Sequence, residues 1–149
     1  MNEPPVIARM HTAEHLLSAV MKVEFGCVAP LETHLGDRKS KCDYRVPRPL
    51  SDEEIEKIES TINRIIDGDH RVLYRELARQ DADTSFDLTR IPADLDTVRI
   101  VSIEGVDDTP CIGSHAERTS QLGRFRIRSH DMRSANIVRI RFGLGTSTR

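Results

Sequence analysis

Hydrophobic and polar positions alternate along the chain with two periods. Over residues 10–25, Ala13, Leu16, Leu17, Val20 and Val23 or Glu24 recur at three-to-four spacing, which predicts a helix closed by Gly26. A second helix is better marked. Ser51 and Glu54 form a capping box, Ile55, Ile58, Ile62, Ile65 and Ile66 make the apolar stripe, and Gly68 ends it. Elsewhere the period drops to two. In residues 34–46, Cys42, Tyr44 and Val46 alternate with charges after a Gly36-Asp37 turn, and Pro47-Arg48-Pro49 breaks the strand. Residues 71–77 and 97–103 read as strands. Residues 78–96 read as a short helix or loop, and 105–110 as a polar loop leading into Cys111. Residues 123–128 and 137–142 alternate strictly, with Arg124, Arg126 and Arg128 on one face and Phe125 and Ile127 on the other. With no internal repeat or linker, the pattern predicts one α+β domain over residues 1–149. It has about five strands, mostly antiparallel, and two main helices.

Composition narrows the function classes. A length of 149 residues suits one domain, and 38% hydrophobic residues suffice for one core. Aromatics at 4%, with no Trp, argue against a stacking platform for single-stranded nucleic acid. Residues 1–5 lack the basic start and apolar run of a secretory leader, and no stretch approaches the roughly 20 apolar residues of a membrane helix. The expectation is a cytoplasmic protein whose three Cys remain reduced. The net charge of -2 conceals an asymmetry. Residues 118–149 hold eight Arg and one acid, Asp131, for a net of +7, which leaves -9 on the rest.

Two short motifs carry the candidate chemistry. In His11-Thr12-Ala13-Glu14-His15 the imidazoles lie about one helical turn apart, on one face, where they can share a metal. In Cys111-Ile112-Gly113-Ser114-His115 a thiolate and an imidazole flank a glycine on a loop. Together they supply three His and one Cys, a tetrahedral zinc set. Cys27 and Cys42 read as core or half-buried thiols, and His34, His70 and His130 as surface or loop residues. The first motif also fits the H-x-x-E-H pattern of inverzincin proteases, in which Glu14 would be a general base. That reading leaves the Cys111/His115 pair without a role, so Glu14 is expected to be a solvated helix residue.

The paired motifs resemble a known family. Residues His11-Thr12-Ala13-Glu14-His15-Leu16-Leu17 are similar to the H-[ST]-A-x-H-[LV]-[LV] helix of alanyl-tRNA synthetase editing domains. Residues 111–123, CIGSHAERTSQLG, resemble their C-x-G-x-H-x-x-x-T-x-x-[IL]-G segment, continued by Phe125-Arg126-Ile127. Motif separation, the Ile-rich helix and the length resemble the short, freestanding AlaX proteins across roughly residues 6–143. Ile112 departs from the Gly usual in the synthetases, and Ala116 from a common β-branched residue; both bear on pocket shape.

The resemblance implies a zinc-containing hydrolase that deacylates mischarged tRNA for Ala in trans, chiefly seryl and also glycyl esters. This is a second sieve for a pocket that cannot reject those amino acids. It implies His11, His15, Cys111 and His115 as zinc ligands, Thr119 and Gln121 as catalytic pocket residues, and Thr12 or Thr33 as the contact to a seryl hydroxyl. The tRNA acceptor end is the implied partner, with Arg124, Arg126 and Arg128 as a phosphate-gripping face beside the metal. The alternatives are an editing domain for another mischarged tRNA and a non-catalytic zinc-stabilised RNA-binding module.

Overall fold

The computed structural model describes residues 4–145. Residues 1–3, at the start of the stretch read as lacking a leader, and Arg149 of the basic tail lie outside the described residues.

Helix α1 (Val6–Phe25) starts four residues earlier than its apolar spacing indicates, directly after Pro5. Pro5 has an extended φ and ψ that suit a helix entry. The helix is buried on almost every side. Leu16, Leu17, Val20 and Met21 enter the main core, while Thr12, Glu14 and His15 are buried polar positions. Its stripe ends at Met21: Val23 is 81% exposed and Glu24 is exposed, because the last turn faces solvent. Gly26 stops the helix in the left-handed region at φ 72°, donating to Lys22 O.

Four antiparallel strands form the sheet beneath α1, in the order β1 (Glu32–His34), β2 (Ser40–Arg45), β7 (Ile137–Gly145), β6 (Arg124–Ser134). Alternation sends Cys42, Tyr44, Phe125, Val138, Ile140 and Phe142 inward, where they join α1 and α2 (Asp52–Asp67) in one core. The capping box of α2 is present: Ser51 Oγ accepts from Glu54 N at 3.1 Å, and Ser51 N donates to Glu54 Oε1 at 2.9 Å. Ile55, Ile58, Ile62 and Ile66 are buried and Ile65 is half-buried. Asn63 ties α2 to the sheet, bonding both N and O of Phe125 at 2.9 Å.

A second sheet, β3 (Val72–Ala78), β4 (Thr97–Ile103), β5 (Asp107–Pro110), is also antiparallel. Between β3 and β4 a short helix α3 (Arg79–Ala82) and a turn-rich loop close a satellite cluster around Ala82, Leu88, Ile91, Val98 and Ile100.

The α+β class holds, but the described residues form seven strands in two sheets rather than about five in one. The two unanticipated strands carry no apolar alternation. All three β1 residues are exposed, and β5 reads Asp-Asp-Thr-Pro and is held by its register with β4. No helix of the described residues is long and apolar enough to cross a membrane.

Candidate metal centre

The site lies where α1 passes the loop between β5 and the 3-10 turn at Thr119–Leu122. On α1 a polar stripe, His11, Glu14, His15, Ser18 and Lys22, recurs at helical spacing and lines a cleft of about 670 Å³. The helix therefore has two useful faces, one apolar toward the sheet and one polar toward the cleft. Cys111 and Gly113 form part of the opposite wall.

His11, His15, Cys111 and His115 converge here. Each offers one donor atom, and those atoms lie within 4.8 Å of one another. Cys111 Sγ is 3.2 Å from His11 Nε2. The three imidazoles pack as a cluster, with ring centroids 4.2 to 5.0 Å apart.

Several residues fix this arrangement. Thr12 is wholly buried behind the cluster. Its hydroxyl donates to Ala8 O at 3.2 Å and accepts from Ala116 N at 3.0 Å, with His115 Nδ1 at 3.0 Å. With the hydroxyl proton given to Ala8, His115 Nδ1 is the donor, the tautomer that leaves the Nε2 lone pair free. Gly113 is required by packing, since a Cβ there would overlap the His11 ring, standing 2.5 Å from Nδ1. Arg99 of β4 holds the loop. Its Nε donates to Cys111 O at 2.9 Å, its other guanidinium nitrogen reaches Gly113 O, and the guanidinium lies over Tyr74 at 4.6 Å. Arg99 escaped the sequence reading, in which it was one charge inside a predicted strand.

Electrostatically, the cluster favours uncharged imidazoles. Burial lowers His15 from 6.5 to about 4. Burial, with His15 and His11 nearby, lowers His115 to about 2, and burial followed by His15 lowers His11. Burial also raises the Cys111 thiol. Among the described residues, His15 Nδ1 and His115 Nε2 are the buried side-chain nitrogens or oxygens with no hydrogen-bond partner. Neutral, close-set imidazoles with orphaned lone pairs beside a thiol are what a metal ion satisfies, so the donor set fits zinc.

Glu14 is not the solvated helix residue expected. It is 8% exposed, on the cleft wall, because the polar face of α1 is itself covered by the β5 strand and the Cys111 loop. Ser18 Oγ donates to Glu14 Oε2 at 2.6 Å and lies 2.7 Å from Tyr44 Oη. Burial raises the Glu14 carboxyl above its usual range.

The remaining predicted residues fall in three places. Thr33 lines the cleft. Thr12, Thr119 and Gln121 do not line it. Thr119 Oγ accepts from His70 N at 2.9 Å and donates to Ile65 O at 3.2 Å, and Gln121 Oε1 accepts from Glu117 N and Arg118 N at 3.0 Å. These two order the chain after His115. Arg126 and Arg128 are exposed on β6, and Arg124 pairs with Asp67 at 3.0 Å. Alternation turns Arg126 away from Phe125, onto the outer face of the sheet, opposite the face that packs on α1. Closeness along the chain, nine residues from His115 to Arg124, thus does not make the Arg row a wall of the cleft.

With this geometry in place, similarity to known proteins becomes informative. The family described as "Threonyl and Alanyl tRNA synthetase second additional domain" matches residues 98–141, which contain Cys111 and His115. Alanine–tRNA ligase of Prochlorococcus marinus (strain NATL2A) is 31% identical over 139 residues, 92% of this chain and 16% of that protein. This chain is similar to alanine–tRNA ligases and, over residues 98–141, to the second additional domain. The enzyme of Ignicoccus hospitalis is 31% identical over 145 residues, covering 94% of this chain and 16% of its own length. That of Synechococcus sp. (strain WH7803) is 35% identical over 135 residues, covering 87% and 15%. The chain thus spans about a sixth of these relatives. The matched stretch of the additional domain runs through β4, β5, the Cys111 loop and most of the β6–β7 hairpin, so it holds one half of the donor set; α1 supplies the other half.

Proposed function

We propose that this domain hydrolyses the ester linking a wrongly attached amino acid to tRNA for Ala, chiefly serine and also glycine. The observation that carries the reading is the convergence of His11, His15, Cys111 and His115, three of which line the 670 Å³ cleft, in a chain similar to alanine–tRNA ligases. A cleft of that size suits a small aminoacyl ester and its terminal nucleoside.

The four residues would hold a zinc ion, which when bound supplies a Lewis acid beside the ester. The protein's own groups do the rest. Thr12 holds His115 in the tautomer whose Nε2 faces the cluster. Arg99 fixes the Cys111–Gly113 carbonyls, which sets the loop's shape. Thr33, which lines the cleft, would meet a seryl hydroxyl. Thr119 and Gln121 act indirectly, by ordering the segment after His115 through bonds to its backbone. Arg126 and Arg128, exposed on the outer sheet face and in no ion pair among the described residues, are proposed to meet tRNA phosphates away from the ester itself.

A site closed by four protein ligands also favours a second reading, a zinc-stabilised RNA-binding module without turnover. Incubating the purified domain with seryl-, glycyl- and alanyl-tRNA for Ala separates the two. Release of serine and glycine with alanine spared supports the proposal, and tRNA binding with no release supports the module.

A further inference from the structure

The outer face of the four-stranded sheet, turned away from α1 and the cleft, is sorted by charge along its strands. Residues paired across strands share a face, so the register defines rows. One row is Glu32, Asp43, Arg139 and Asp131, three acids around one arginine, with Arg139 bound to Asp43 at 2.8 Å. The next is His34, Lys41, Arg141 and Ser129, and Arg141 reaches back to Asp131 at 2.6 Å. Beyond it Gly143 pairs with Arg126 and Gly145 with Arg124, and Arg128 stands at a bulge between Ile127 and Ser129. Gly143 makes room for the arginine. It is buried, and a Cβ there would stand 3.0 Å from Arg128 Nε and 2.8 Å from Arg38 O. Arg128 therefore lies against bare backbone, beside the loop that carries Arg38, Lys39 and one exposed acid, Asp37. Arg124 is held by Asp67. Arg38, Lys39, Lys41, Arg126 and Arg128 form no ion pair among the described residues. Five such cations gathered at one corner of a chain of net charge -2 repel one another, and a polyanion relieves that.

We propose that this corner, Arg38, Lys39, Lys41, Arg126 and Arg128 around Gly143, binds the sugar–phosphate backbone of duplex RNA. The inference rests on the reading that the partner is a tRNA and deepens it by naming the part of the RNA that is held. The outer face carries no Phe, Tyr or Trp, so it offers unstacked bases nothing to lie on. Bases inside a duplex need no such platform, and the backbone alone presents the charge. The corner and the cleft lie on opposite sides of the sheet, so a stem and an aminoacyl ester are held together rather than in competition.

The test uses a fluorescein-labelled RNA duplex without an amino acid, and one of its strands alone, titrated by anisotropy at several salt concentrations. The wild-type domain is expected to bind the duplex roughly tenfold or more tightly than the single strand. Arg38→Ala and Lys39→Ala, on the exposed loop, are each expected to lower the salt slope by about one unit. Arg45→Ala, exposed on the same face but beyond the acidic row, is expected to leave it unchanged. Duplex affinity is also expected to stay the same when seryl-adenosine with an amide in place of the ester fills the cleft. The wild-type comparisons need no variant, so misfolding of one would not rescue the idea. Equal or tighter binding of the single strand, an unchanged slope in both loop variants, an equal loss in Arg45→Ala, or competition by the analogue overturns the site. Duplex binding without ester hydrolysis leaves it standing and overturns the deacylase reading. Hydrolysis by a domain that does not hold the duplex does the reverse.

Discussion

Thr12 Oγ1 lies 3.0 Å from His115 Nδ1 and 3.0 Å from the N–H of Ala116, linking the two metal motifs across about a hundred residues of chain. The hydroxyl expected, with that of Thr33, as a contact for the substrate is wholly buried behind the cluster, against His115. Thr12→Val keeps the shape and removes the oxygen. It leaves two buried donors unpaired, a cost of roughly 1–3 kcal/mol each. Zinc affinity, measured by chelator competition, is expected to fall by roughly 10- to 100-fold. Thr12→Ser is expected to restore most of it. Unchanged affinity in Thr12→Val would show that the hydroxyl does not position His115.

Gly113 offers a cleaner separation of site from fold. Gly113→Ala places a methyl against the His11 ring, at a loop residue outside the hydrophobic core. The expected result is a melting temperature close to wild type for the metal-free protein, with metal content reduced to a small fraction. Full metal loading in Gly113→Ala would mean that His11 is not a ligand.

Acid dependence follows from the buried imidazoles. His15 titrates at about 4 in the fold and near 6.5 when unfolded, so protons bind the unfolded chain more tightly. Its contribution is present in full above 6.5 and is lost as pH falls from 6.5 through about 4, at most on the order of 3 kcal/mol. Urea unfolding of metal-free protein across that range should show stability declining with acid, and His15→Gln should flatten the decline. A flat wild-type profile between those values would contradict neutral burial of His15.

The Arg row tests the nucleic-acid reading separately from the chemistry. Arg126→Ala and Arg128→Ala should each lower the salt slope of tRNA binding by about one unit while leaving hydrolysis of a short aminoacyl ester unchanged. An unaltered slope would assign those arginines to solvent.

The cluster of His11, His15, Cys111 and His115 was legible because each half is local: an i, i+4 pair on a helix, and a Cys and His flanking a glycine on one loop. The capping box and Ile stripe of α2 were legible for the same reason. What surrounds the ligands was not. Glu14 looked solvated because a helix pattern cannot reveal that its polar face is covered by β5 and the Cys111 loop. Arg99 looked like a charge in a strand, yet it fixes the loop through backbone carbonyls, which leave no signature in side-chain pattern. The Arg row followed the metal motif closely along the chain, but strand alternation turned Arg126 to the far side of the sheet. Strands β1 and β5 were missed because pairing alone, without buried alternation, holds them.

The central claim is most directly tested by pairing metal analysis with deacylation in wild type and Cys111→Ala. Wild-type protein is predicted to carry about one zinc per chain and to release serine from seryl-tRNA for Ala faster than alanine from its alanyl counterpart, with both properties lost in Cys111→Ala. Zinc content and serine release that both survive in Cys111→Ala would contradict the account.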